Sequence, residues 1–173
     1  MKNNVMRTIK IEKIVLNCGG IGDKLDRGMK LLKVLTGKNP IKTKSTKRIP
    51  SFGVRPGLEI GCKITLGGEN AINLLKRLFQ AKDNTFSKKQ FGEGTFSFGI
   101  PEYIEIPGVS FQREIGILGL DVSVRLKRAG FFIDKKKIKS GKIPNRHKIT
   151  KEETLEFMKK NFNIKLIEER EKR

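Results

Sequence analysis

Glu59 to Leu66, EIGCKITL, alternates without a break: Ile60, Cys62, Ile64 and Leu66 fall on one parity, Glu59, Gly61, Lys63 and Thr65 on the other. Side chains of a strand alternate between faces, so this segment predicts a strand with one face in a core and the other polar and partly cationic. The fold around it must cover one side of a sheet and leave the opposite side open. A segment of a different kind runs into this strand. From Lys38 to Arg55 the chain carries Lys38, Lys42, Lys44, Lys47, Arg48 and Arg55, no acid, and breaks at Pro and Gly. A loop too cationic to fold on itself, joined to an ordered polar sheet face, reads as a surface for a polyanion.

The global charge agrees. Lys and Arg number 38 against 18 Asp and Glu in 173 residues, a formal net charge of +20. Such an excess strains a compact chain by self-repulsion and favours a strongly negative partner; clustered bases with a pI above about 9 are the footprint of nucleic-acid binding. Acidic membranes fit less well, because no basic amphipathic helix, lipidation signal or signal peptide is seen and no apolar run approaches the ~18 residues of a span. Cys18 and Cys62 are too few for a disulfide scaffold and lack CxxC spacing. They are expected to be reduced, buried thiols in a cytosolic or nuclear protein.

The remaining elements follow from periodicity. Ile9 to Cys18 predicts a strand with a phase slip at Glu12-Lys13, the mark of a bulge. Asp23 is expected to cap a helix carrying Leu25, Met29 and Leu32, closed by Gly37. A second helix presents Ala71, Leu75, Leu78 and Phe79; 82–94 reads as a loop. Phe96, Phe98 and Ile100 alternate as a strand that is expected to continue through Tyr103, Ile104, Glu105 and Ile106. Leu118 to Lys127 is the clearest strand, with Asp121, Ser123, Arg125 and Lys127 facing out. Residues 135–151 hold eight Lys or Arg, His147 and no acid, and read as a basic arm. A last helix starts at the capping box Thr150-x-x-Glu153 and buries Leu155, Met158 and Phe162. Half-polar strands imply an α+β fold: an antiparallel sheet with helices on one face and a polar concave face left for a ligand.

Each motif has a plainer reading beside the functional one. Gly19-Gly20-Ile21-Gly22 lacks the third glycine of GxGxxG, and no Gly-Lys-[Ser/Thr] is present, so a tight turn is preferred to a nucleotide site. His147, the single histidine, cannot assemble a zinc set with two distant cysteines and is read as a solvated or RNA-contacting side chain. Phe96 and Phe98 share parity with Ile100 and are assigned to the core rather than to base stacking. Phe52, between Ser51 and Gly53, has no apolar partner at period two and suits stacking on a sugar or base. Scattered charge that only aids solubility would mix signs, and neither basic run does.

The strings IEKIVLNCGGIGDKL, LTGKNPIKTKS, SFGVRPGLEIGCKITLGG, GTFSFGIPEYIEI, GILGLDV and HKITKEET occur in an order that resembles the universal large-subunit ribosomal protein family numbered five in bacteria and eleven in eukaryotes. The resemblance covers about 6–162, and the NRHKITKEET tail is similar to the archaeal and eukaryotic branch. It implies a non-enzymatic scaffold of the central protuberance, without cofactor or metal. By position, 5S ribosomal RNA would meet the concave sheet face at Asn17, Lys38, Lys63 and Thr65. The loop 45–58 with its flank, Lys42, Lys44, Lys47, Arg48, Phe52 and Arg55, would face peptidyl-site transfer RNA. Other large-subunit RNA would meet Lys135, Lys136, Lys137, Lys139, Lys142, Arg146, His147 and Lys148. The protein partner implied is the neighbouring 5S-binding protein numbered eighteen in the universal scheme, and the location is the cytoplasmic ribosome, with the nucleolus during assembly in a eukaryote. Two positions depart from the family: its TGQ reads Thr36-Gly37-Lys38 here, and the Arg of its VTLRG-like motif is Gly67. The chain, 1–173, is expected to form one domain with a mobile loop at 45–58. The alternatives are a folded-RNA or polyanion-binding regulatory module outside the ribosome and, with less support, an RNA-processing enzyme.

Overall fold

The computed structural model describes residues 4–167. In chain order the elements are β1 (Lys10–Gly19), α1 (Asp23–Thr36), β2 (Ile41–Lys44), β3 (Glu59–Leu66), α2 (Glu69–Gln80), β4 (Thr85–Ser87), β5 (Thr95–Ile100), β6 (Leu120–Lys127), α3 (Phe132–Lys135), α4 (Lys151–Phe162) and β7 (Lys165–Ile167). Five strands form one sheet in the order β2-β3-β1-β6-β5, and every pairing in it is antiparallel. The fold is α+β, as the half-polar strands predict. β1 lies in the middle, so the start of the chain is locked between strands that come much later.

The alternation read from sequence decides which face is covered. Ile14, Leu16, Cys18, Cys62, Ile64, Leu66, Phe96, Phe98, Val122 and Val124 are all buried on one side. Leu25, Leu31, Leu32 and Leu35 of α1 and Ala71, Leu74, Leu75 and Leu78 of α2 belong to the same core. Phe79 sits at its aromatic end, with ring centroids 5.2 Å from Phe86, 5.6 Å from Phe96 and Phe98, and 5.0 Å from Phe162. The phase slip in β1 is a bulge: Ile11 pairs with Leu126 and Lys13 with Arg125, leaving Glu12 as the extra residue. Its neighbours on both sides thereby keep their faces. Gly37 ends α1 in the left-handed conformation, φ 67°, its N–H bonded to Lys33 O. Thr150 and Glu153 form the capping box of α4.

Four local expectations change. Asp23 does not cap α1; Gly22, at φ 61°, is the N-cap with no side-chain bond, and Asp23 lies in the first turn, where its charge favours the helix dipole. The Lys-rich stretch after Pro40 contains a strand, β2, at the sheet edge, where lysines are tolerated because one side of the strand has no neighbour. The β5 strand ends at Ile100. Pro101 has no N–H to donate, and Tyr103–Glu105 form a 3-10 turn in which Tyr103 N–H bonds Leu118 O. The 82–94 loop contains β4, which pairs in parallel with β7 through Thr85–Lys165, Phe86–Leu166 and Ser87–Ile167. Three-residue strands are too short to show a period.

Candidate nucleic-acid interface

The face of the sheet turned away from α1 and α2 is built in rows. One row runs Ile41, Lys63, Asn17, Asp121, Gly99 across β2, β3, β1, β6 and β5. The next runs Thr65, Val15, Ser123, Ser97. Beyond them Lys13 stands opposite Arg125, which also pairs with Thr95, and Lys10 stands opposite Lys127. Like charges directly opposed across strands repel and cost stability. Two such pairs at one end of the open face suit a polyanion lying across it, with Glu12 beside the bulge offsetting part of the charge of Arg125. A concavity of about 460 Å³ opens on the same face, floored by Val15, Ser97, Ser123 and Arg125 with Gln90 and Phe91 at its wall.

The expected RNA-contacting residues separate in space. Asn17, Lys63 and Thr65 come together, with Asn17 directly opposite Lys63 and Thr65 one position diagonal to it. Lys38 lies instead in the α1–β2 connection, its backbone N–H bonded to Thr36 Oγ1. In the 45–58 segment Ser45 N–H bonds Leu58 O, Gly57 N–H bonds Ser45 O, and Ile49 bridges Val54. The cationic loop is therefore a doubled-back, hydrogen-bonded finger, with Val54 buried and Phe52 73% exposed at its tip. Lys47, Arg48 and Arg55 are exposed along it, and Lys44 is exposed at the end of β2 where the finger begins. Lys42 is not in the finger: its Nζ lies 2.8 Å from Glu59 and 3.9 Å from Asp26. The bond to Glu59 raises the Lys42 pKa, and the same bond lowers that of Glu59.

The basic arm is docked rather than loose. Arg128, 4% exposed, donates from Nη1 to the carbonyls of His147 and Lys148 and from Nη2 to Glu153 at 2.6 Å. Burial opposes ionisation of Glu153, but the Thr150 N–H and the Arg128 guanidinium outweigh it and hold the carboxyl below the ordinary range. His147 faces inward: its Nε2 lies 2.7 Å from Ala129 O, which can only accept, so Nε2 carries the proton. Lys135 is ion-paired to Glu12 at the β1 bulge, where Arg125 also lies 3.4 Å away. Lys136 lies over the Phe132 ring; Lys137, Lys139, Lys142, Arg146 and Lys148 are exposed. Replacing Arg128 by Ala is expected to cost about 2 kcal/mol, below the ~3–5 of a fully buried pair because Glu153 stays partly in water. Urea unfolding checks this; unchanged stability would show that Arg128 does not hold the arm.

Sequence reading missed Lys10, Lys13 and Glu12. Lys13 shares the parity of Val15 and Asn17 directly, and skipping Glu12, the bulged residue, brings Lys10 to the same face. Among the described residues no helix is long and apolar enough to cross a membrane, and no three His, Cys, Asp or Glu side chains gather as metal ligands.

A one-sided antiparallel sheet with a cationic open face, a basic finger and a docked basic arm defines a nucleic-acid-binding protein. The family model for ribosomal protein L5 matches residues 4–55, and the model for the C-terminus of the same ribosomal family matches residues 59–157. The large ribosomal subunit protein uL5 of Nanoarchaeum equitans is 42% identical over 165 residues, covering 94% of this chain and 98% of the relative. The protein of the same name from Sulfolobus acidocaldarius is 42% identical over 170 residues, 96% of each chain. The chain belongs to the ribosomal protein L5 family and is an RNA-binding protein of the large ribosomal subunit.

Proposed function

We propose that the protein is a non-enzymatic structural constituent of the large subunit that holds 5S ribosomal RNA against its open sheet face. The observation that carries this reading is the composition of that face: Asn17, Lys63 and Thr65 together, with the like-charged pairs Lys13–Arg125 and Lys10–Lys127 at one end. Amides, hydroxyls and ammonium groups on a rigid sheet recognise folded RNA through phosphates, 2′-hydroxyls and shape. The finger at 45–58 approaches peptidyl-site transfer RNA, with Lys44, Lys47, Arg48 and Arg55 on backbone phosphates and Phe52 stacking at the tip. The exposed lysines and arginines of 135–151 engage other large-subunit RNA. The neighbouring protein is the 5S-binding one numbered eighteen in the universal scheme, and the chain acts as one domain.

Replacing Asn17 and Thr65 together by Ala tests the sheet face. Neither side chain belongs to the buried core, so the melting temperature should hold while 5S RNA affinity falls about tenfold or more, on the scale of two lost hydrogen bonds to charged or polar RNA groups. Wild-type affinity in that double variant would overturn the site. Equal affinity for heparin and for 5S RNA would point instead to a general polyanion binder.

A further inference from the structure

The open face holds a carboxylate where a polyanion binder has least use for one. Three acids lie in the five sheet strands: Glu12, Glu59 and Asp121. Glu12 is paired with Lys135 and Arg125, and Glu59 with Lys42. The Asp121 carboxylate is exposed and takes part in no hydrogen bond or ion pair among the described residues. It stands directly opposite Asn17, with Lys63 one strand further on and no ion pair between the two charges.

Two glycines flank it. Gly19, two residues beyond Asn17, faces the same side, and a Cβ built there meets nothing within 4 Å. Gly99 pairs with Asp121, and a Cβ there would lie 3.4 Å from Asp121 Oδ1, in ordinary contact. Neither glycine has a positive φ. The packing of the protein itself therefore does not demand glycine at either position. A close approach by a ligand is one of the uses to which a strand glycine is put, and both of these open onto the face beside Asp121.

We propose that Asp121, beside Asn17 and over the floor made by Gly19 and Gly99, reads the Watson–Crick edge of an unpaired guanine in the bound RNA. The proposal rests on the open face being the RNA site. Unpaired bases of folded RNA present their Watson–Crick edges to protein side chains. Guanine is the base whose edge places two donors side by side, N1–H and the N2 amino group, matched to the two oxygens of one carboxylate. Phosphates are repelled from Asp121 and directed to Lys63 on one side and Arg125 on the other, so the carboxylate sets register as well as identity. Cation bridging is less well supported, because no second free carboxylate in the sheet joins Asp121.

The test uses the full chain and a 5S RNA transcript in which inosine, which lacks the N2 amino group, randomly replaces guanosine. Wild-type protein is expected to bind and to select against inosine at one or a few unpaired guanines. Asp121→Asn should bind at least about tenfold more weakly, the scale of one bidentate base contact, and lose that selection. Gly19→Ala should melt as wild type does and also bind at least about tenfold more weakly, because its methyl group occupies the floor. A loss of less than about tenfold in either variant, or an unchanged inosine pattern in Asp121→Asn, overturns the proposal. Failure of the wild type to bind the transcript sinks the assignment of the face to 5S RNA; wild-type binding with indifferent variants sinks the guanine reading alone.

Discussion

Raising monovalent salt from about 50 to about 200 mM is expected to weaken the proposed 5S RNA complex by about a thousandfold or more, the loss that accompanies six or more neutralised phosphates. The structure supplies the cations. Lys10, Lys13, Lys63 and Lys127 share the open face, Lys47, Arg48 and Arg55 line the finger, and Lys44 stands where β2 enters it. Others are already spent within the protein. Lys42 neutralises Glu59, Lys135 neutralises Glu12, and Arg128 is buried against Glu153. The slope of log affinity against log salt should therefore reflect far fewer charges than the 38 Lys and Arg of the chain. Fluorescence anisotropy with labelled 5S RNA over that salt range measures it. A flat line would refute electrostatic binding outright.

Replacing Phe79 by Ala will destabilise the protein by about 3–5 kcal/mol, the cost of deleting a large buried ring and leaving a cavity. Phe79 is 1% exposed, and its ring meets Phe86 on β4, Phe96 and Phe98 on β5 and Phe162 on α4. One side chain thus joins α2 to the sheet, to the C-terminal helix and to the small β4–β7 pair. Aromatic pairs add about 0.5–1.5 kcal/mol beyond area burial, so loss of several at once places this site at the upper end of core truncations. Equilibrium urea unfolding gives the number; a loss under about 1 kcal/mol would mean that the cluster collapses into the cavity without cost. Neither outcome depends on RNA, so the measurement separates folding from binding.

Elements governed by near neighbours were legible in the chain. Leu120 to Lys127 alternates because one face is buried, and Thr150 with Glu153 caps α4 because the groups that satisfy the helix start lie three residues apart. The bulge at Glu12 showed as a broken phase. Tyr103 misled because its apolar neighbours imitate a strand, whereas its backbone bond goes to Leu118. The β4–β7 pair joins residues about as far apart as Thr85 and Lys165, and no local pattern announces it.

The site divides in the same way. Parity placed Lys63 and Thr65 on the polar side of β3, and composition marked 38–55 and 135–151 as cationic. Which of those cations remain available was a tertiary decision. Lys42 meets Glu59 and Lys135 meets Glu12 only because an edge strand and a bulge bring them together. Asp121 became conspicuous only when register set it against Asn17 and every other acid of the sheet was found paired. Periodicity reports which face a residue takes, because that depends on the backbone within a few residues. Which charge meets which depends on strand order and register, and these are fixed by burying the whole core at once.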